Sequence, residues 1–396
     1  MATTLKLGDS KWATKNGSLL AYNDENGNFK PLPFNFTRDT GGTVVNKDGL
    51  IEMVSNNVPR IDFSNDANGA LLLEPQRSNL ILKSDDVLTT YQSQNGTVSD
   101  ANTPINGFNN SIQIDYDASN SLIYKRDFTP TIGTEYTISC FVQMSDNSAP
   151  IHTVDVNSGD FCLINNNTLV SESDIKTERL GSTNVYKVSA KKTAIDTNNR
   201  FGIIKYATQS SKGFKVTGFQ LEQGSYATSY IPTQGATATR VAETCNNAGN
   251  VNTFNDSEGV LFAEISALVN GDTTKQISLS DGTLNNRIVF GYPSAGGSIY
   301  FEIRNAGTAI AFVSVPVSNV VEISKIAVKY KNNDFALWIN GIEVATDNSG
   351  ILPTGLNRLA FDNGNATGGQ FYGNCKDLRV YTTALSDSEL QALTQI

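Results

Sequence analysis

Three observations predict an all-β chain built from two antiparallel sandwich domains. Only 17% of the residues are charged against 39% apolar, and 32 glycines with frequent Asn, Ser and Thr favour turn-rich strands over helical bundles. Apolar residues recur with period 2, as Tyr136, Ile138, Cys140 and Val142 on one face against Thr137, Ser139 and Phe141 on the other. A chain of 396 residues also exceeds the ~250–300 at which one hydrophobic core stops growing. The expected architecture is two antiparallel β-sandwich (jelly-roll) domains, preceded by an irregular β-rich N-terminal segment and closed by a short C-terminal helix.

Residues 1–80 hold short apolar runs broken by turn chemistry at Asn26-Gly27, Pro31, Pro33, Gly41-Gly42, Asp48-Gly49 and Asn68-Gly69, which predicts short strands and loops. Residues 81–233 form the first sandwich, with strands expected over 111–116, 121–128, 153–156, 185–190, 201–207 and 214–222. In the last of these Phe214, Val216 and Gly218 alternate, and Pro232 is expected to end regular pairing. A linker rich in Thr, Ala, Gly and Asn spans 234–250. The second sandwich, 251–396, has strands expected over 260–268, 276–279, 287–292, 298–304, 309–315 and 325–329 and a hairpin over 335–344. Asn340-Gly341 supplies the positive φ of a two-residue turn in that hairpin. Ser386 then N-caps a final helix, Glu389 closes a capping box, and Leu385 with Leu390 makes the hydrophobic staple.

A formal net charge of −9, with no Lys/Arg cluster, repels phosphate backbones and argues against nucleic acid as a partner. No signal-like apolar run opens the chain and no run of ~18 apolar residues follows, so the expectation is a soluble chain made in a cytosol without membrane insertion. Cys140, Cys162, Cys245 and Cys375 show no C-x-x-C spacing and read as buried thiols; Cys140 and Cys162 can pair only if their strands are neighbours.

Four blocks carry a family resemblance. Residues 218–233 read GFQLEQGSYATSYIPT and are completed by Ala238-Thr239-Arg240; Arg38, Thr43 and Val45 stand in an R-x-x-x-x-T-x-V pattern; residues 57–62 read NVPRID; and residues 71–79 read LLLEPQRSN. Together these resemble a signature of tailed-phage virion proteins, including those of crAss-like and related phages of Bacteroidetes-like hosts. The ordering of strands in 81–233 resembles the carbohydrate-binding-module-like domain of phage tail and fibre proteins. The hairpin WINGIEV at 338–344 and the closing FYGNCKDLRVYTTALSDSELQALT at 371–394 are similar to the end of laminin-G or concanavalin-like lectin domains.

The resemblance implies a head or tail fibre or appendage protein at the virion surface, made in the host bacterial cytoplasm. On it the N-terminal segment attaches to other virion proteins, and the two lectin-like modules face host-surface glycans. It implies a homo-oligomer, with a trimer favoured and a dimer open, since no heptad or fibrous repeat imposes three-fold winding. Two alternatives stand beside this reading: a purely structural decoration or cement protein, and a glycan depolymerase.

A depolymerase needs two carboxylates on one strand face, ~5–5.5 Å apart in a retaining enzyme. Glu172, Asp174 and Glu178 share parity, but their segment is polar and lacks aromatic walls. His152 is the one histidine and has no G-x-S-x-G elbow to serve, so it reads as structural. Asp362, Asn363 and Asn365, or Asp24 and Glu25, offer loop oxygens for calcium, although hairpin turns explain both groups equally well. Gly291, Gly296, Gly297, Gly364, Gly368 and Gly369 read as turns, not as a phosphate cradle. Tyr91, Phe108, Tyr292, Tyr300 and Phe361 are either sugar-stacking platforms or core, and Trp338 is core or surface according to what covers its face of the hairpin. Arg38, Arg60, Arg77 and Arg240 all fall within the motifs and read as structural forks that lock irregular backbone. No catalytic, cofactor-binding or metal-binding residue is assigned, and no cofactor is expected.

Overall fold

The computed structural model describes residues 5–15, 18–22, 29–94, 97–117 and 119–396. All strand pairing among them is antiparallel, and the one α-helix, Asp387–Thr394, closes the chain.

The first sandwich packs a five-stranded sheet, ordered Gln92–Gln94, Ser121–Lys125, Phe201–Lys205, Cys162–Asn165 and Thr168–Leu169, on a six-stranded one. The larger sheet runs Thr97–Asp100, Ile112–Asp115, Phe214–Gln223, Glu135–Met144, Tyr186–Thr193 and Ile175–Arg179. Alternation explains its core: Ile138, Cys140, Val142, Val188 and Phe214 point inward with Phe161 and Ile203 of the facing sheet, while Thr137 and Ser139 stay off the core on the other face. Cys140 and Cys162 lie in different sheets; all four cysteines are free and buried, and burial pushes the Cys140 thiol up to about 12 and Cys162 to about 11.

Three details differ from the pattern reading. Residues 153–156 form a loop, because Thr153 and Asp155 side chains accept backbone N–H groups two residues on and Gly159 takes a positive φ; the strand starts instead at Cys162. In the closing strand Gly218 has φ +61° at a bulge opposite Ser139–Phe141, so the alternation changes phase and Phe219 and Leu221, not residues 218 and 220, face the core. Regular pairing there ends at Gln223, well ahead of Pro232.

The second sandwich packs a sheet ordered Thr308–Pro316, Ser298–Asn305, Arg287–Tyr292, Lys275–Ser280 and Arg358–Ala360 against a large sheet. The large sheet contains Gly373–Tyr381, Glu258–Ala267, Ser324–Lys331, Phe335–Ile339 and Ile342–Asp347. Asn340 at φ 51° and Gly341 at φ 83° make the expected turn between its last two strands. Phe335, Leu337 and Ile339 point into the core, and Trp338 lies on the reverse face under Leu390 and Leu393 of the C-terminal helix. That helix carries the expected capping box, with Ser386 N–H donating to Glu389 Oε2 at 2.9 Å and Leu385 buried beside Leu390.

The leader is woven into this second module. Leu5–Gly8 pairs with Asp377–Val380 along the free side of Gly373–Tyr381, and Ala70–Leu73 pairs with residues 373–375 on the same side. Lys376 is the bulged residue that separates the two docking stretches, since Glu264 faces Asp377 and Ile265 faces Cys375. Leu5, Leu7, Leu19, Phe34, Phe36, Leu71 and Leu73 consequently lie in the same core as Phe290, Phe301 and Leu337. The linker does likewise: Ala238–Arg240 pairs with Arg77–Asn79, and Thr244–Asn246 pairs with Phe29–Thr37. The hairpin of Gly42–Val45 and Ile51–Val54 turns the other way and packs Val45 on Phe141, Leu180 and Tyr230 of the first sandwich.

Candidate functional site

The motif residues converge at the joint. Arg38 follows the strand Phe29–Thr37, Arg60 opens Arg60–Asp62, Glu74 follows Ala70–Leu73, and Arg240 and Glu243 flank the linker's turn. Arg38 Nη1 donates to Glu243 Oε1 at 2.7 Å, Arg60 Nε donates to the same oxygen at 2.8 Å, and Arg60 Nη2 lies 2.8 Å from Glu74 Oε2. Arg240 Nη1 lies 3.0 Å from Glu74 Oε2, and Ser229 of the SYIPT block donates to Glu74 through its N–H at 2.8 Å and its hydroxyl at 2.6 Å. Glu222, buried in the closing strand, accepts the Thr228 N–H at 2.9 Å and adds a further negative charge near Arg240.

All six charged side chains are almost completely buried, a state that is tolerated only when every charge has a partner. Burial acts to raise the Glu74 carboxyl, but Arg240 and Arg60, with the Ser229 hydrogen bonds, hold it well below the ordinary carboxylate range. Arg38 also donates to Thr40 O, Val58 O and Ser55 O, so it pins the irregular backbone of the leader. Arg77 stands apart from this clasp, with its guanidinium 5.1 Å from the Tyr226 ring centroid and Nη1 donating to Gln76 O.

Directly above the clasp lies a cleft of about 870 Å³ between the two sandwiches, floored by Thr43, Glu74, Thr228 and Ser229. One wall is the outer face of the six-stranded sheet, where Lys187, Ser189 and Lys191 share a parity and lie beside Lys176 and Glu178 of the edge strand. The other wall is Ser64, Asn65 and Asp66 of the leader with Ser266, Asn319, Asn374 and Lys376 of the second module. Lys376 is aimed there by its bulge and is held by Asp66 at 2.6 Å and Glu264 at 2.9 Å. The Tyr226 hydroxyl, also at the cleft, is buried without a hydrogen-bond partner.

The acidic trio is split by this geometry. Asp174 and Glu178 line the cleft, whereas Glu172 sits in a 3₁₀ turn, Glu172–Asp174, and accepts the Thr153 hydroxyl at 2.7 Å. Glu178 is paired with Lys176 at 2.7 Å and Asp174 with Lys191 at 3.8 Å, so each of these two carboxylates has an ammonium neighbour. His152 bridges Phe161 as a sheet-edge residue, and burial lowers its pKa below the ordinary imidazole value.

The proposed calcium loop is occupied by a cation of the protein's own. Asp362 is fully buried and its two oxygens accept from Arg358 Nη1, at 2.9 Å, and Nη2, while Asn363 and Asn365 accept backbone N–H groups two residues on. Turn chemistry and an ion pair therefore spend the oxygens that the sequence left open for a metal. Asp24 and Glu25 lie outside the described residues.

Four of the aromatic candidates pack in or against the cores, whereas Tyr300 lies on the outer face of its sheet beside Phe312, 6.0 Å between ring centroids. Tyr91 packs on Phe219 at 5.4 Å, Phe108 on Phe141 at 4.9 Å, and Tyr292 and Phe361 are 1% exposed. Tyr300 accepts from Gln276 Nε2. Lys187, Lys191, Tyr226 and Lys376 were not singled out by the sequence reading. The alternation in Tyr186–Thr193 marks the first two as one polar face, but nothing local marks the bulge that turns Lys376 into the cleft.

Comparison with known proteins adds to this geometry. No curated protein matches the chain. Similar solved structures include the carbohydrate-binding module CBM40 of the Ruminococcus gnavus intramolecular trans-sialidase bound to α2,3-sialyllactose, 22% identical over 36% of this chain and 84% of that one, TM-score 0.31. Domain 4 of the arabinanase AbnA from Geobacillus stearothermophilus, in complex with arabinotriose, is 16% identical over 43% and 82%, TM-score 0.32. The NanB sialidase of Streptococcus pneumoniae is 17% identical over 37% of this chain and 25% of that one, TM-score 0.32. Residues 250–391 match the laminin-G-type family model described as the concanavalin A-like lectin/glucanases superfamily, so the second sandwich has a lectin-like fold.

Proposed function

We propose that the protein is a non-catalytic, glycan-binding component of a tailed-phage virion, and that the cleft between its sandwiches is the glycan seat. The observation that carries the binding reading is the cleft itself, about 870 Å³ and within the range of ligand pockets. Its walls present hydroxyls, amides and paired charges, a donor and acceptor set that matches a polyhydroxylated ligand. The lectin-like fold of residues 250–391 supports the same class of ligand. Placement on a phage particle rests on the sequence resemblance of the four motif blocks. The non-catalytic reading is supported by the lysines that lie beside the two candidate carboxylates, Lys176 by Glu178 and Lys191 by Asp174.

A glycan array with the purified chain, repeated with Asn374→Ala and Lys187→Ala, tests the seat. Binding that is weakened by both substitutions supports it, and binding indifferent to both moves the seat elsewhere. A second reading, a structural decoration protein, is favoured by one observation: the motif arginines are consumed inside the molecule as a clasp. A uniformly blank array, with ordered contacts to several virion proteins in particle images, would select that reading. Oligosaccharide release from host capsule would instead restore the depolymerase.

A further inference from the structure

One edge of the second sandwich is unlike the other sandwich edges. A sheet's end strand leaves backbone donors and acceptors unpaired on one side, and folded proteins blunt such edges by shortness, charge or cover. Among the described residues, Gln92–Gln94, Thr168–Leu169, Thr97–Asp100, Thr244–Asn246 and Arg358–Ala360 have four residues or fewer. Ile175–Arg179 carries Lys176, Glu178 and Arg179, and Ile342–Asp347 carries Glu343 and Asp347. Thr308–Pro316 is neither short nor charged, and its two blunting features, a bulge at Ile310 and Pro316 at its end, leave the stretch between them regular. It is nine residues long, ends its sheet, and pairs with Ser298–Asn305 alone. It also lies within a run from Asn305 to Val321 that contains no Asp, Glu, Lys or Arg. Phe312 is 60% exposed on its outer face, and Val313 and Val315 are half-buried against the core.

We propose that this edge pairs antiparallel with the same strand of a second copy, about a two-fold axis at Val313. An isologous contact must be self-complementary, and a charge-free strand meets that demand, where a charged one would set like charges face to face. The strand's bulge, at Ile310, leaves Ala311 to Pro316 regular. In that stretch the axis sets Val313 against its own copy and Ala311 against Val315, all on the core side, so the two cores join. Phe312 then lies opposite Ser314 on the outer face, and two five-stranded sheets become one continuous sheet. This proposal is independent of any glycan and of the cleft, which is lined by other strands.

Sedimentation velocity of the full chain over a dilution series tests it, with two double variants at the exposed positions 312 and 314. Wild type sediments as a dimer. Phe312→Lys with Ser314→Lys puts like charges opposite each other twice and yields a monomer with the wild-type circular dichroism spectrum and a melting temperature that no longer depends on concentration. Phe312→Lys with Ser314→Glu puts Lys opposite Glu across the same axis and retains the dimer. A monomeric or trimeric wild type overturns the proposal, as do two variants that behave alike.

Discussion

Glu243→Gln removes the charge that two buried guanidiniums share while keeping the volume of the side chain. In the wild-type protein Glu243 accepts from Arg38 Nη1 at 2.7 Å, from Arg60 through Nε at 2.8 Å and Nη2, and from the Glu74 N–H at 2.8 Å. Its side chain and both arginines are completely buried, so water does not replace the lost partner. Breaking a buried pair from one side costs about 3–5 kcal/mol. If the 396 residues melt as one unit, at about 2.1 cal/mol/K per residue, the unfolding entropy is about 0.8 kcal/mol/K and the melting temperature falls by about 4–6 °C. Differential scanning calorimetry reads both the shift and the number of transitions. Glu178→Gln is the control: its partner Lys176 is 63% exposed, and a surface pair is worth about 0–1 kcal/mol. A Glu243→Gln shift no larger than that of the control would refute the clasp as the joint's main constraint. Two separated transitions, of which one stays fixed, would refute the single cooperative unit.

The clasp also predicts acid tolerance. Glu74 is held below its unfolded value, near ~4.3, so its contribution is fully present above that pH and is lost only as the pH falls through the lower folded value. Asp377 has the opposite sign: burial raises it to about 6 against Arg379, so the site's stabilisation is complete below ~3.9 and declines as the pH rises through about 6. Asp377→Asn should flatten that decline in urea melts between pH 4 and 7, and an unchanged slope rejects the assignment. Gly218→Ala places a Cβ at 2.7 Å from the Phe141 ring at a φ of +61°, and should cost about 1–3 kcal/mol in chemical denaturation; a neutral result would mean the bulge relaxes freely. Because Arg358 occupies the Asp362 loop, Asn363→Ala and Asn365→Ala should not alter the response of the melting temperature to calcium, and a response abolished by either substitution would place calcium in that loop.

Legibility followed the range of the interactions involved. The C-terminal helix was readable because Ser386, Glu389, Leu385 and Leu390 satisfy one another within a single turn, and the Asn340-Gly341 hairpin because its turn needs positive φ at two adjacent residues. Residues 153–156 form a loop where a strand was expected, because Val154 and Val156 with even spacing imitate the alternation of a sheet. Thr153 and Asp155 instead capture neighbouring N–H groups locally. The aromatic residues were ambiguous for a different reason: flanking Asn and Gly describe the chain beside a ring, whereas burial depends on what packs over it.

Composition and period-2 alternation determined an all-β protein, and a local capping motif its final helix, since each depends on backbone preferences within a few residues. Their places within the motif blocks marked Arg38, Arg60, Arg77 and Arg240 as structural forks. Only the tertiary structure decided what those forks grip, that strands at opposite ends of the chain share one sheet, and that a cleft opens above them. Antiparallel pairing between Leu5–Gly8 and Asp377–Val380 leaves no local trace, because an edge accepts any strand of fitting pattern and the choice is made by the core the two jointly bury.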